Sequence, residues 1–200
     1  MCKTARIGAT HSGWCHLEMH IVEFWGGNGF NINAVVNLAN GLFQQHEIDL
    51  VIQSSSVQVD PNFATVDASN LLNVQQQIRT QYVGAAGGIV VACVNSFTNS
   101  PPTTCGWGGW AGFDSVANVG YAFLSPTCTG WGLGHEVGHA LQLNHVCDAS
   151  VAVGSAGSCG TIHDTSLMHP TLRPVTTNCI LPANQVHIAR KSALLLPGRG

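Results

Sequence analysis

Charge is scarce in this chain. Of its 200 residues only 8% are Asp, Glu, Lys or Arg, and the formal net charge is −3. The seven Lys and Arg are scattered, without a basic run, which argues against the positive surface that nucleic-acid binding needs. No apolar stretch approaches the ~20 residues that cross a bilayer as a helix. The opening residues, MCKTARIGATHSGW, lack the apolar segment of a secretory signal. There is no internal repeat, and no two cysteines stand in a C-x-x-C spacing. Aromatics make up only 7%. What remains is a chain whose polarity comes from Gly, Asn, Gln, Ser and Thr, long enough for one domain over residues 1–200 with a sizeable core.

Cysteine, by contrast, is plentiful. Eight in 200 residues, an even count without metal-type spacing, predict a disulfide framework, hence an oxidising compartment and secretion. Pairing by proximity gives Cys2–Cys15, Cys93–Cys105, Cys128–Cys179 and Cys147–Cys159, one of 105 ways to join eight cysteines.

Hydrophobic periodicity lays out the elements. Residues 15–25 alternate as a strand with His16, Glu18 and His20 on one face, read as a solvated polar face rather than a second metal site. Residues 31–46 carry a helical stripe of Ile32, Val35, Val36, Ala39, Leu42 and Phe43, capped by Asn31. Strands are predicted at 48–59, 87–97 and 118–125, and a helix at 69–83. The Gly-, Pro- and Trp-rich run NSPPTTCGWGGWAGFDS reads as a loop. A helix capped by Thr129 follows, then loop-like residues 146–181, then a helix from Pro182 to Leu195. Strands alternating with helices before a loop-rich tail indicate an α/β or α+β domain with a mixed twisted sheet.

The chemistry concentrates in GWGLGHEVGHALQLNH, residues 130–145. His135 and His139 are four apart, so one helix face presents both imidazoles one turn apart. His145 follows six residues later, and Glu136 stands beside the first histidine. Two imidazoles so placed reach a Zn²⁺ at ~2.0–2.1 Å, and a third ligand leaves one position open to water. Glu136 is placed to take a proton from that water and pass it to a leaving amine.

The motif HEVGHALQLNH resembles the extended zinc sequence of the metzincin metalloendopeptidases, H-E-x-x-H-x-x-G-x-x-H. SLMHPTLRP, residues 166–174, is similar to their Met-turn, with features of both matrixins and astacins. The resemblance implies a mixed sheet with an active-site helix, an upper subdomain of about 1–145 and a lower one of about 146–200. It implies His135, His139 and His145 as zinc ligands, Glu136 as base and Met168 beneath the metal. It also implies that protein or peptide substrates add as a strand along a sheet edge, here Gly109, Trp110 and Ala111 within residues 108–113. His169 and Pro170 to Pro174 would wall the specificity pocket. Pro170 stands where astacins carry a tyrosine ligand.

Gln142 departs from the pattern, taking the place of the glycine. A left-handed non-glycine there costs roughly 1–2 kcal/mol, which moves the expected helix end toward Asn144. The other histidines, His11, His46, His163 and His187, read as surface or turn residues, and Trp131 as core. A Ca²⁺ site from Asp114, Asp148 and Asp164 is compatible with the composition, though no spacing specifies it. The chain is expected to be monomeric. Two rival functions remain: a zinc-stabilised, non-catalytic extracellular binding module, and a zinc hydrolase of a non-peptide amide or ester.

Overall fold

In the computed structural model the described residues are 13–24, 31–100, 105–113, 116–145, 166–168, 181 and 183–197. Strand β1 (Cys15–Glu23) is followed by helix α1 (Ile32–Gln44) and β2 (Ile48–Val57). Next come β3 (Thr65–Asp67), α2 (Leu71–Ile78), β4 (Ile89–Cys93) and β5 (Ser96–Thr98). Then β6 (Gly106–Phe113), β7 (Val116–Leu124), α3 (Gly130–Ala140), α4 (Ala183–Arg190) and β8 (Leu195–Leu196) complete the order.

The main sheet runs β2-β1-β4-β7-β6, with β8 pairing β1. Strands β2, β1, β4 and β7 are parallel, while β6 and β8 run antiparallel to their neighbours. A parallel neighbour requires a crossover, and α1 provides one between β1 and β2. The predicted mixed α/β architecture is therefore present, with β6 closing one edge. A separate pair, β3 and β5, forms a small parallel sheet.

Each sheet face has its own core. On one side Leu17, Met19 and Ile21 of β1, with Leu50, Ile52, Val91 and Leu124, pack against α1 and α3. The α1 stripe Ile32, Val36, Ala39, Leu42 and Phe43 is buried there, and each large side chain contributes about 1.5–3 kcal/mol of apolar transfer. Asn31 caps this helix as expected, its Oδ1 accepting from the Ala34 N–H at 3.1 Å. On the other side Val22, Val90, Tyr121 and Phe123 pack with Phe24, Phe63 and Ile78.

Four expectations change. The His16–Glu18–His20 face is not solvated: His16 and His20 are buried. Arg79, itself buried, donates to the carbonyls of Ala86 and Gly88. That holds the following loop over β1, where His20 bonds Ser54 Oγ at 2.8 Å and the Gly87 carbonyl at 3.1 Å. The helix expected over 69–83 keeps α-form only to Ile78 and widens into a π turn over Arg79–Val83. The terminal helix stops at Arg190, because Leu194 turns into the core and Leu195 pairs with Leu17 of β1.

The disulfide pairing is the fourth correction. Cys105 bonds Cys128, while Cys15 and Cys93 are free thiols. Cys93 ends β4, and β7 lies between it and β6. Two strand spacings, about 10 Å, exceed what a disulfide spans. Cys105 and Cys128 meet because one precedes β6 and the other precedes α3. Cys2, Cys147, Cys159 and Cys179 lie outside the described residues.

Candidate metal centre

Helix α3 begins where Thr129, extended at φ −98° and ψ 175°, accepts from the Gly132 N–H through its hydroxyl, the cap read from the sequence. It is largely buried against both β6–β7 and α1. His135 and His139 project from one face, a turn apart.

The helix ends at Ala140 and the chain reverses at Gln142, two residues before the expected Asn144 and in the costly conformation. Gln142 has φ 68°, left-handed at the position where the family motif has glycine. Its N–H donates to the His139 carbonyl at 2.9 Å, and the Leu143 N–H donates to the Gly138 carbonyl at 2.9 Å. Those two bonds are the Schellman pattern. They satisfy carbonyls that the helix end would otherwise leave open, and so offset the strain at Gln142. The reversal brings His145 back to the two helical imidazoles.

The result is a triangle. The Nε2 atoms of His135, His139 and His145 lie 3.2 Å from one another on all three edges. Four ligands at zinc's ~2.0–2.1 Å in a tetrahedron stand about 3.3 Å apart, so the triangle matches one face. The opposite ring nitrogens fix the tautomers. His135 Nδ1 donates to the Leu167 carbonyl at 2.8 Å, and His139 Nδ1 to the Leu143 carbonyl at 2.9 Å. Their Nε2 atoms are then left as lone-pair donors. Burial lowers the His139 pKa, partly countered by the Leu143 carbonyl, which keeps that ring neutral and able to ligate. Converging lone pairs repel unless a cation lies among them. The donor set fits zinc.

Met168 is fully buried, and its Sδ fills the space that a side chain at Gly138 would need. Met168 thus packs directly against the histidine helix. Its neighbour Leu167 supplies the carbonyl that orients His135. Gln185 of α4 donates to the Asn144 carbonyl at 2.9 Å, bracing the turn that carries His145. The roles of Leu143, Leu167 and Gln185 were not readable in advance, because two act through main-chain oxygens and the third acts from a distant helix.

Glu136, next to His135 in the chain, is buried, and burial raises its carboxyl to about 8, against a hydrogen bond from the Gly108 backbone that lowers it. Gly109 lies in β6 opposite Tyr121, and Trp110 and Ala111 continue that edge strand. Residues 106–113 of the run read as a loop are thus a strand, glycine-rich because its neighbours press close. His169 and Pro170 to Pro174 lie outside the described residues, as do Asp114, Asp148 and Asp164. Among the described residues the three histidines form the one group of three or more His, Cys, Asp or Glu able to share a metal. Trp131 is partly buried against the main core.

A sequence model of the reprolysin-like metallopeptidases of family M12B matches residues 30–146. The chain belongs to that family. Among solved structures it is similar to one described as a chaperone–substrate complex, at 19% identity and TM-score 0.57. That likeness covers 91% of this chain but only 35% of the other, so this chain spans about a third of its length. Archaemetzincin from Methanopyrus kandleri is similar at 11% identity and TM-score 0.53, over 88% of this chain and 95% of that one. No curated protein sequence matches the chain. Family membership and the three-histidine site together support a zinc ion in a reprolysin-like metallopeptidase. Among the described residues no helix is long and apolar enough to cross a membrane.

Proposed function

We propose that this reprolysin-like chain is an exported zinc endopeptidase that cuts peptide bonds within protein substrates, with Glu136 as its general base. The observation that carries the reading is the triangle of Nε2 atoms with a buried carboxylate on the adjoining residue. Zinc held there would supply Lewis acidity, acidifying a water and polarising the scissile carbonyl. His135, His139 and His145 hold the ion, and their carbonyl-bound Nδ1–H groups keep the rings aimed. Glu136 takes the water's proton on its carboxylate and delivers it to the leaving amine. Met168, in a turn of matrixin or astacin type, supports the helix from below. Substrate lies extended along β6 beside Gly109, Trp110 and Ala111, where main-chain hydrogen bonds accept varied sequences. His169 and Pro170 border the pocket for the side chain after the cut. The Cys105–Cys128 disulfide supports export, since such bonds persist in oxidising compartments.

Casein digestion tests the reading. Wild-type protein should cleave casein, lose that activity to a chelator and regain it with zinc. Glu136→Gln should keep one zinc while losing about 10²–10⁴-fold in kcat. Cleavage by Glu136→Gln at the wild-type rate would remove the base from the mechanism. A zinc-loaded wild type that cuts no peptide would leave a binding module or a hydrolase of other bonds.

A further inference from the structure

A glutamate side chain on a helix has three torsions, and its place in the sequence does not fix where the carboxylate stands. In this fold the fixing comes from β6. Alternation along that strand sends Gly106 and Gly108 toward α3, while Trp107 packs into the opposite core and Gly109 faces Tyr121. Both α3-facing positions lack a side chain, and both lie against one residue.

A Cβ on Gly108 would overlap the Glu136 carbonyl oxygen and come within 2.7 Å of its Cα. Those are main-chain atoms, so no rotamer change relieves the contact. A Cβ on Gly106 would stand 3.0 Å from Glu136 Cγ, 3.3 Å from its Oε1 and 3.0 Å from the Phe123 carbonyl. The bare strand lets α3 settle close enough for the Gly108 N–H to hydrogen-bond the Glu136 carboxylate. A bond from a fixed amide to a carboxyl oxygen is directional.

We propose that Gly106 and Gly108 are positioning residues for Glu136: Gly106 leaves room for the side chain, and the Gly108 amide holds the carboxylate facing the three histidines. The proposal rests on the reading of Glu136 as the base. It makes the edge strand part of the proton-transfer apparatus. A Cβ at Gly106 requires the Glu136 side chain and the Phe123 carbonyl to give way, and moving a proton acceptor off its geometry costs rate.

Two measurements test this. In ¹⁵N–¹H spectra of the full chain, Glu136→Ala, which removes the acceptor, should move the Gly108 amide proton upfield by more than those of Gly106 and Gly109. An unmoved Gly108 resonance would overturn the proposal, whatever the activity. Gly106→Ala, the milder of the two intrusions, should bind one zinc as wild type does, with kcat down about tenfold and KM little changed. Unaltered kcat in that variant would overturn it as well. If wild type itself hydrolyses no peptide, the proposed activity fails, while the amide resonance still decides whether Gly108 holds the carboxylate.

Discussion

Gln142 holds a φ of 68° because the chain must reverse there to return His145 to the helix. A glycine at that position adopts the same angle without a Cβ clash. Gln142→Gly is expected to raise stability by about 1 kcal/mol, read as a higher denaturation midpoint at unchanged m-value. An unchanged or lower midpoint would show that the Gln142 side chain contributes more than its strain removes. At this scale the sequence was informative wherever covalent spacing decides the outcome. His135, His139 and His145 were legible because four residues make one turn and a reversal then gives the third ligand. The location of that reversal was not legible, since a propensity argument weighs the strain at Gln142 and not the two hydrogen bonds offsetting it.

Among the elements, β6 and α3 are joined covalently as well as by packing. The Cys105–Cys128 bond closes a span of 23 residues that contains all of β6 and β7. Replacing both cysteines by serine should lower unfolding free energy by about 2–4 kcal/mol, measured by denaturant titration without reductant. A loss well under 1 kcal/mol would mean that packing alone holds the strand on the helix. Element prediction succeeded where one face is buried and the other wet. Helix α1 shows this, its apolar stripe and Asn31 cap both legible. It failed where the second face is covered by something distant in sequence. Histidines at 16 and 20 look solvent-facing along β1, yet both are buried, His20 beneath the loop that Arg79 holds. Glycine-rich β6 failed for the complementary reason: the close contacts that require Gly106 and Gly108 are made by a helix some thirty residues later.

For the molecule as a whole, the metal site dominates the response to solution conditions. Zinc binds the folded state, so zinc at one hundred times its dissociation constant should add about 2.7 kcal/mol to stability, and a chelator should remove it. A melting temperature indifferent to both would contradict zinc binding at the triangle. The metal-free protein should show a second signature. Burial raises the Glu136 carboxyl to about 8 from an ordinary 4.5, so between those values the folded chain retains a proton that the unfolded chain releases. Stability from this group is therefore complete below pH 4.5 and lost as pH rises through 8, with a slope of at most about 1.4 kcal/mol per pH unit. Glu136→Gln should abolish that component of the slope. Identical pH–stability profiles for the two metal-free proteins would show that the carboxyl is solvated.

The carbonyls of Leu143 and Leu167, which orient His139 and His135, belong to the backbone and so are present whatever residue the genetic code installs there. Where a metal site entrusts this duty to a carboxylate side chain, one nucleotide change can delete it. Here drift at positions 143 and 167 can erode packing but cannot strip an acceptor from either imidazole, so a lineage can vary those two residues and still keep its imidazoles aligned.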